Sequence, residues 1–111
     1  MQWEIELYED EKGNIPIRKF IENLQPSEKA KVIWIIDLLE KTGINLTEPY
    51  AKHIEGTLWE LRPRQNRILY FLYKGTFVLL HGLKKTKQKL PASEKNIAFR
   101  RMEDYLKRKD K

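Results

Sequence analysis

The stretch that decides the fold class lies in the second half of the chain, where residues 58–83 read LWELRPRQNRILYFLYKGTFVLLHGL. Three runs rich in β-forming residues occur in it, at 58–62, 67–73 and 76–83. Pro63 to Asn66 separates the first two runs, and Lys74-Gly75 separates the last two. Connections this short join neighbouring antiparallel strands, so we expect a three-stranded meander.

The segments outside the meander predict one further strand and three helices. Residues 2–8 alternate apolar and polar side chains, which is typical of a strand. The spacing of apolar residues predicts one helix over 17–24, ended by Pro26, and a second over 27–42. Residues 44–57 are typical of a loop, and Ser93 is expected to cap a last helix over 94–108.

The resulting order, β-α-α-β-β-β-α, predicts an α+β domain. Its small, twisted, antiparallel-rich sheet is expected to carry the helices mainly on one face and to leave the other face open. On the first meander strand Trp59 and Leu61 alternate with Arg62, so Arg62 should project away from the core. We expect a single domain over residues 1–111, with 107–111 as a frayed tail.

Composition excludes several classes of site. The chain has no cysteine, so disulfides, thiolate metal sites and thiol nucleophiles are absent. Its acidic run at 9–11 is contiguous on an expected turn, unlike converging metal ligands. Neither an export leader nor a stretch of membrane-spanning length is visible. We therefore expect a soluble, cytoplasmic protein that uses no metal and no small-molecule cofactor.

Charge is strongly segregated along the chain, whose net charge is +6. Positions 1–60 hold 12 acids and 7 bases, whereas positions 61–93 hold 8 bases and no acid. Solubility alone usually intersperses the two signs, so this segment indicates a face that binds phosphate. Its bases are Arg62, Arg64, Arg67, Lys74, Lys84, Lys85, Lys87 and Lys89.

These bases suit a phosphate site, and cleavage of a phosphodiester without a metal would require charge stabilisation on the phosphate and proton transfer. The three arginines offer planar, permanently charged donors for clamping phosphate and stabilising the transition state. Either Lys84 or Lys85 is expected to transfer a proton, and most of the four lysines near the end of the segment are expected to contact the nucleic-acid backbone: Lys84, Lys85, Lys87 and Lys89. The alternative for each of these side chains is a solvated surface charge.

The histidines and several aromatic residues are the remaining candidates. His81 has a side chain suited to acid–base work near neutrality, although a histidine in an apolar strand is more often structural. His53 either lies at the rim of a cleft or is exposed on a loop. Tyr70, Tyr73 and Phe77 either stack on bases or belong to the core. The tryptophans are assigned to packing: Trp3, Trp34 and Trp59.

Taken together, residues 58–62 (LWELR), 67–70 (RILY) and 77–85 (FVLLHGLKK) resemble the RelE/ParE toxin superfamily, specifically its HigB-like, phage-derived branch. The resemblance implies a RelE-like fold and the toxin of a type II toxin–antitoxin pair. Such a toxin is usually an mRNA endonuclease that works in the ribosomal A site, inhibits translation and is neutralised by a helix-turn-helix antitoxin. Positions that match the family's catalytic residues are Arg62, Arg67, Lys84 and Lys85.

The sequence also departs from that family. Many RelE toxins end with a tyrosine in a short tail, whereas Tyr105 here lies on a predicted helix. The superfamily also includes gyrase poisons, so the alternatives are a ParE-like gyrase inhibitor and a non-catalytic nucleic-acid-binding protein. An enzyme should lose activity on Arg67→Ala or Lys84→Ala and keep its RNA affinity, whereas a pure binder should lose affinity with each charge removed.

Overall fold

A computed structural model describes residues 3–85 and 89–110 of the chain. These residues form five strands, three α-helices and one 3-10 turn, and the predicted α+β class is confirmed. None of the helices in this part of the chain is both long and apolar enough to cross a membrane. The elements are β1 (Glu4–Leu7), α1 (Pro16–Glu22), α2 (Pro26–Thr42), the 3-10 turn (Gly43–Asn45), β2 (Ala51–Glu55), β3 (Leu58–Leu61), β4 (Asn66–Tyr73), β5 (Thr76–Lys84) and α3 (Ala92–Lys109).

The strands form one sheet in the order β1-β5-β4-β3-β2, with β1 parallel to β5 and the other pairs antiparallel. The predicted meander is therefore confirmed as β3, β4 and β5. Its second turn places Lys74 and Gly75 at φ of 47° and 83°, which is the left-handed backbone that a tight two-residue hairpin turn requires.

The prediction of a loop over residues 44–57 is wrong for Ala51–Glu55, which forms the edge strand β2. β2 pairs with β3, with Ala51 opposite Leu61 and Lys52 opposite Glu60. Only Ala51 is buried in this strand, and Lys52, His53 and Glu55 are exposed. An edge strand with one buried residue has no apolar alternation, which is why the pattern missed it.

Helices cover both faces of the sheet, so the expectation of an open face is wrong. α1 and α2 pack on one face, called here the hairpin side, through Ile17, Val32 and Leu39. α3 packs on the opposite face, called here the α3 side, through Ala98, Met102 and Tyr105. Two of the three helices therefore share one face, and β4 between the layers is buried at every residue from 66 to 71.

The ends of α3 also differ from the prediction. The helix begins at Ala92 with Pro91 in the capping position, so Ser93 lies in the first turn and is not the cap. Residues 107–109, expected as part of a frayed tail, belong to the helix, because Arg108 donates hydrogen bonds to the Glu9 carbonyl and to the Asp104 carboxylate. α3 thereby crosses the sheet obliquely, from Lys95 beside Glu55 of β2 to Tyr105 beside Glu6 of β1.

Candidate active site

A cleft of about 490 Å³ opens on the α3 side, where β4 begins, β5 ends and the first turn of α3 forms one wall. Its lining is strongly cationic. Among the described residues, seven bases and two acids contribute to it: Lys52, Arg62, Arg67, Lys84, Lys85, Lys89 and Lys95, with Glu60 and Glu94. The two acids stand immediately before and after the acid-free segment 61–93.

Strand alternation directs three charged side chains of the meander into this cleft. Trp59 and Leu61 pack on the hairpin side, so their neighbours Glu60 and Arg62 face the α3 side, as the sequence predicted for Arg62. On β4 the buried Ile68 also faces the hairpin side, which turns Arg67 toward the α3 side.

Glu60 is a buried carboxylate on the floor of the cleft, with 6% of its surface exposed. Its Oε2 lies 3.5 Å from Arg62 Nε and 3.9 Å from Arg67 Nε. A carboxylate this deeply buried is tolerated because cations face it. Glu60 was not predicted as a site residue, although the strand alternation that places Arg62 in the cleft also places Glu60 there.

Arg67 is equally buried, at 6% exposed, and much of its hydrogen-bonding capacity is used within the protein. Its Nη1 donates to the carbonyl oxygens of Arg64 and Asn66, both at 2.7 Å. Burial lowers the pKa of the Arg67 guanidinium, and the Glu60 carboxylate opposes that shift. Arg67 therefore supports the turn between β3 and β4 as well as the cleft.

Arg64 lies on that turn and is exposed, with φ of 59°, and it does not line the cleft. Arg64 was expected to clamp phosphate together with Arg62 and Arg67, but its place outside the cleft does not support that role. Its backbone carbonyl is the part that contributes, because it accepts the hydrogen bond from Arg67.

The two lysines at the end of β5 have different surroundings. Lys84 is on the rim of the cleft, but its Nζ lies 3.3 Å from the Glu28 carboxylate of α2, on the hairpin side. Asn66 Nδ2 donates to the same carboxylate at 3.1 Å. Lys84 therefore fastens α2 to the sheet, contrary to its expected role in chemistry, whereas Lys85 lines the cleft beside the Arg67 end of β4.

His81 lies behind the cleft, between β5 and α3, and does not line it. Arg101 Nη1 donates to its Nδ1 at 3.1 Å, while its Nε2 is 3.4 Å from Glu94 Oε2 without hydrogen-bond alignment. Burial lowers the pKa of His81, an effect that Glu94 opposes and Arg101 reinforces. This position leaves His81 outside the cleft, so its catalytic role stays a prediction that the cleft geometry does not support.

The aromatic side chains expected to bind RNA are not in the cleft. Tyr70 is 3% exposed and packs edge-on against Phe77 in the core, and burial raises the pKa of its hydroxyl. Tyr73 packs edge-on against Tyr105, at the opposite end of β4 from Arg67. Neither ring can stack on a base held in the cleft, because each is already packed against the protein.

The remaining candidates are His53, Lys87 and Lys89. His53 is at the rim, but its ring packs on Trp59 and its Nε2 lies 2.6 Å from the Gly56 carbonyl oxygen. Lys89 is exposed and lines the cleft. Lys87 falls outside the described residues. Two further cleft bases, Lys52 and Lys95, were not predicted from the sequence. Lys52 belongs to strand β2, which was expected to be a loop, and Lys95 belongs to α3, beyond the acid-free segment.

A second hollow of about 330 Å³ lies on the hairpin side and is mainly apolar. Its lining includes Ile44, Leu46, Trp59, Leu72 and Phe77. None of the described lining residues has a charged side chain. Within the described part of the chain, no group of three or more histidine or acidic side chains is arranged to hold a metal ion. The basic cleft is therefore the candidate for the chemistry.

Comparison with known proteins finds a matching family and similar solved structures. The family described as phage derived protein Gp49-like matches residues 19–103. A chain of the archaeal RelE–RelB complex from Pyrococcus horikoshii superimposes with a TM-score of 0.61 at 15% sequence identity, covering 78% of this chain and 99% of that chain. None of the curated proteins compared with the chain matches it significantly.

Proposed function

The chain belongs to the phage-derived Gp49-like family and has a RelE-like fold, and from this premise we propose that it is the toxin of a type II toxin–antitoxin pair. Its activity is metal-independent endonucleolytic cleavage of translated mRNA. The observation that carries this proposal is the Glu60 carboxylate, buried between Arg62 and Arg67 on the floor of a cationic cleft. A surface that only binds RNA gains nothing from an acid at that position, whereas a nuclease needs a base there.

Glu60 is the proposed general base. It accepts the proton of the ribose 2′-hydroxyl, and the 2′-oxygen then attacks the adjacent phosphorus. The bond from phosphorus to the 5′-oxygen breaks, which leaves a 2′,3′-cyclic phosphate and a free 5′-hydroxyl. Glu60 Oε2 is at ion-pair distance from both guanidiniums but is hydrogen-bonded to neither. The entering substrate therefore replaces part of the contact between Glu60 and the two arginines.

The charge that builds up on the phosphate is stabilised by the cations that face Glu60. Arg62 is more available to the phosphate than Arg67. Among the described residues, no carbonyl oxygen accepts a hydrogen bond from the Arg62 guanidinium, whereas two accept hydrogen bonds from Arg67. Lys85 is the lysine proposed to protonate the leaving 5′-oxygen, because Lys84 is paired with Glu28. Positioned charges of this kind lower the barrier by stabilising the transition state more than the substrate.

The partners follow from the same proposal. The substrate is mRNA in the ribosomal A site, and the protein acts in the cytoplasm. A helix-turn-helix antitoxin neutralises it, which is supported by the similar archaeal structure, a complex of RelE with RelB. Acidic side chains on that antitoxin would complement the seven bases of the cleft.

The proposal is tested by inducing the wild-type chain, Arg62→Ala and the control Arg100→Ala in growing cells and mapping new 5′ ends on messages. Arg100 is exposed on α3 and does not line the cleft. We expect growth arrest with cuts in translated regions for the wild type and for Arg100→Ala, and far fewer cuts for Arg62→Ala. Growth arrest without new 5′ ends would contradict the nuclease and favour a gyrase-directed or purely binding toxin.

A further inference from the structure

We propose that Trp34 and Tyr50 form a base-stacking platform that extends the RNA path from the cleft over the edge of the sheet. This inference rests on the proposed function, because it requires single-stranded RNA in the cleft. It assigns a nucleobase-binding role to two side chains outside the cleft itself.

The first observation is that both rings are exposed. Trp34 of α2 is 47% exposed and Tyr50, just before β2, is 41% exposed. Their ring centroids lie 5.7 Å apart at an interplanar angle of 65°. Trp34 was assigned to packing from the sequence, and this exposure shows that the assignment is wrong. Large aromatic residues usually bury most of their surface, so an adjacent pair left in solvent indicates a binding role.

The second observation is the charge around the pair. Lys31 Nζ lies 5.2 Å from the centre of the Trp34 ring. On the other side, the carbonyl oxygen of Tyr50 accepts a hydrogen bond of 2.9 Å from the backbone N–H of Arg62. Tyr50 is therefore a backbone neighbour of Arg62, whose side chain lines the cleft.

Aromatic rings flanked by cations are the composition of sites for single-stranded nucleic acid, where bases stack on the rings and phosphates meet the charges. A strand whose phosphate is held at Arg62 has its next bases beside Tyr50 and then Trp34. The pair thus supplies the base-stacking surface that was one of the two alternatives for Tyr70 and Tyr73, whose rings are packed against the protein.

The test measures the affinity of the full chain for fluorescent RNA of 4 and 12 nucleotides, made uncleavable by 2′-O-methyl groups. The variants are Trp34→Leu and Tyr50→Leu, which keep an apolar side chain and remove the ring. Ile33→Ala is the matched control, because Ile33 is a 49% exposed apolar residue next to Trp34 on the same helix. Arg62→Ala reports on the cleft, and thermal unfolding checks that each variant is folded.

We expect each ring variant to weaken binding of the 12-mer about tenfold and to leave the 4-mer unchanged, since loss of one stacked base costs about 1–3 kcal/mol. Ile33→Ala should bind both RNAs normally, and Arg62→Ala should weaken both. Unchanged 12-mer affinity in Trp34→Leu and Tyr50→Leu, with Arg62→Ala still impaired, would overturn the platform alone. Loss of antitoxin binding in Trp34→Leu and Ile33→Ala, with RNA binding intact, would overturn it in favour of a protein-docking surface. A wild-type chain that binds neither RNA would overturn the platform, whereas the mapping of new 5′ ends tests the proposed function separately.

Discussion

At the scale of single residues, Arg67 combines support of the fold with support of the cleft. Its guanidinium holds the β3–β4 turn through two carbonyl oxygens and faces the buried Glu60 carboxylate. Arg62 faces the same carboxylate from a more exposed position and lacks the carbonyl contacts. Substitution of the two arginines should therefore have different consequences for stability.

We expect Arg67→Ala to lower the free energy of unfolding by about 3 kcal/mol, because it leaves a buried acid with one partner and two carbonyls without donors. Arg62→Ala should cost less than about 1 kcal/mol, since a partly exposed ion pair contributes little. Urea denaturation of both variants measures the difference. Equal losses would contradict the greater structural role assigned to Arg67. Because the smaller loss is expected for Arg62→Ala, this variant is the better probe of chemistry.

Sequence reasoning at this scale identified the two arginines of the site but not the acid between them. The alternation of Trp59 and Leu61 with Glu60 and Arg62 was available, but a search for phosphate-binding charge selects bases and passes over acids. The positions of His81 and Tyr70 outside the cleft were missed for a different reason. Residue type suggests chemistry, whereas burial between sheet and helix depends on contacts distant in sequence.

At the scale of elements, α1 approaches β5 closely only because position 82 is glycine. A methyl group at Gly82 would lie 2.4 Å from the Phe20 ring of α1. We expect Gly82→Ala to destabilise the protein by about 1–3 kcal/mol through overpacking, as measured by chemical denaturation. Phe20→Leu in the same chain should recover part of that loss, and a double variant no more stable than the sum of the two single changes would contradict the contact.

The helices are also fastened to the sheet by carboxylates, which makes stability sensitive to acid. Hydrogen bonds from Asn66 and Lys84 lower the pKa of Glu28 on α2, and the Tyr8 hydroxyl with Arg108 lowers the pKa of Asp104 on α3. A carboxyl whose pKa is lowered by folding stabilises the native state above its unfolded-state pKa and loses that contribution as pH falls through the folded-state pKa.

We therefore expect the midpoint of thermal unfolding to decline modestly below about pH 6.5, where the buried His81 protonates more readily in the unfolded chain, and to fall more steeply below about pH 4, the ordinary range of these carboxyls. Glu28→Gln should reduce this acid-induced fall, because it removes one of the titrating groups. Thermal melts of both proteins between pH 3 and pH 7 measure the effect. The same acid dependence in both would show that Glu28 does not contribute.

Elements with a strong apolar pattern were predicted well, and elements defined by distant partners were not. The meander and α2 have dense apolar runs, so their types and approximate limits follow from local sequence. β2 has only Ala51 buried and exists because β3 offers a free edge. The continuous apolar run of β4, ILYFL at 68–72, was the sign in the sequence that both faces of the sheet are covered, since strands with helices on either side have such runs.

At the scale of the whole molecule, the segregation of charge predicted a phosphate-binding surface but not its shape. Five of the seven described cleft bases come from the acid-free segment: Arg62, Arg67, Lys84, Lys85 and Lys89. Lys52 and Lys95 come from β2 and α3, which the fold brings to the same cleft. The strand order and the parallel pairing of β1 with β5 are likewise long-range features.

The most direct measurement of the central claim is the single-turnover rate of mRNA cleavage on programmed ribosomes for wild type, Glu60→Gln and Glu103→Gln. Glu103 is an exposed acid on α3 that does not line the cleft, which makes it a matched control. If Glu60 is the general base, Glu60→Gln should slow cleavage about 100-fold or more while ribosome binding is retained. The assay is run at a temperature at which this variant, destabilised by loss of the buried ion pair with Arg67, is still folded. Glu103→Gln should cleave at the wild-type rate. Cleavage by Glu60→Gln at the wild-type rate would show that Glu60 is only a structural counter-ion and would contradict the proposed active site.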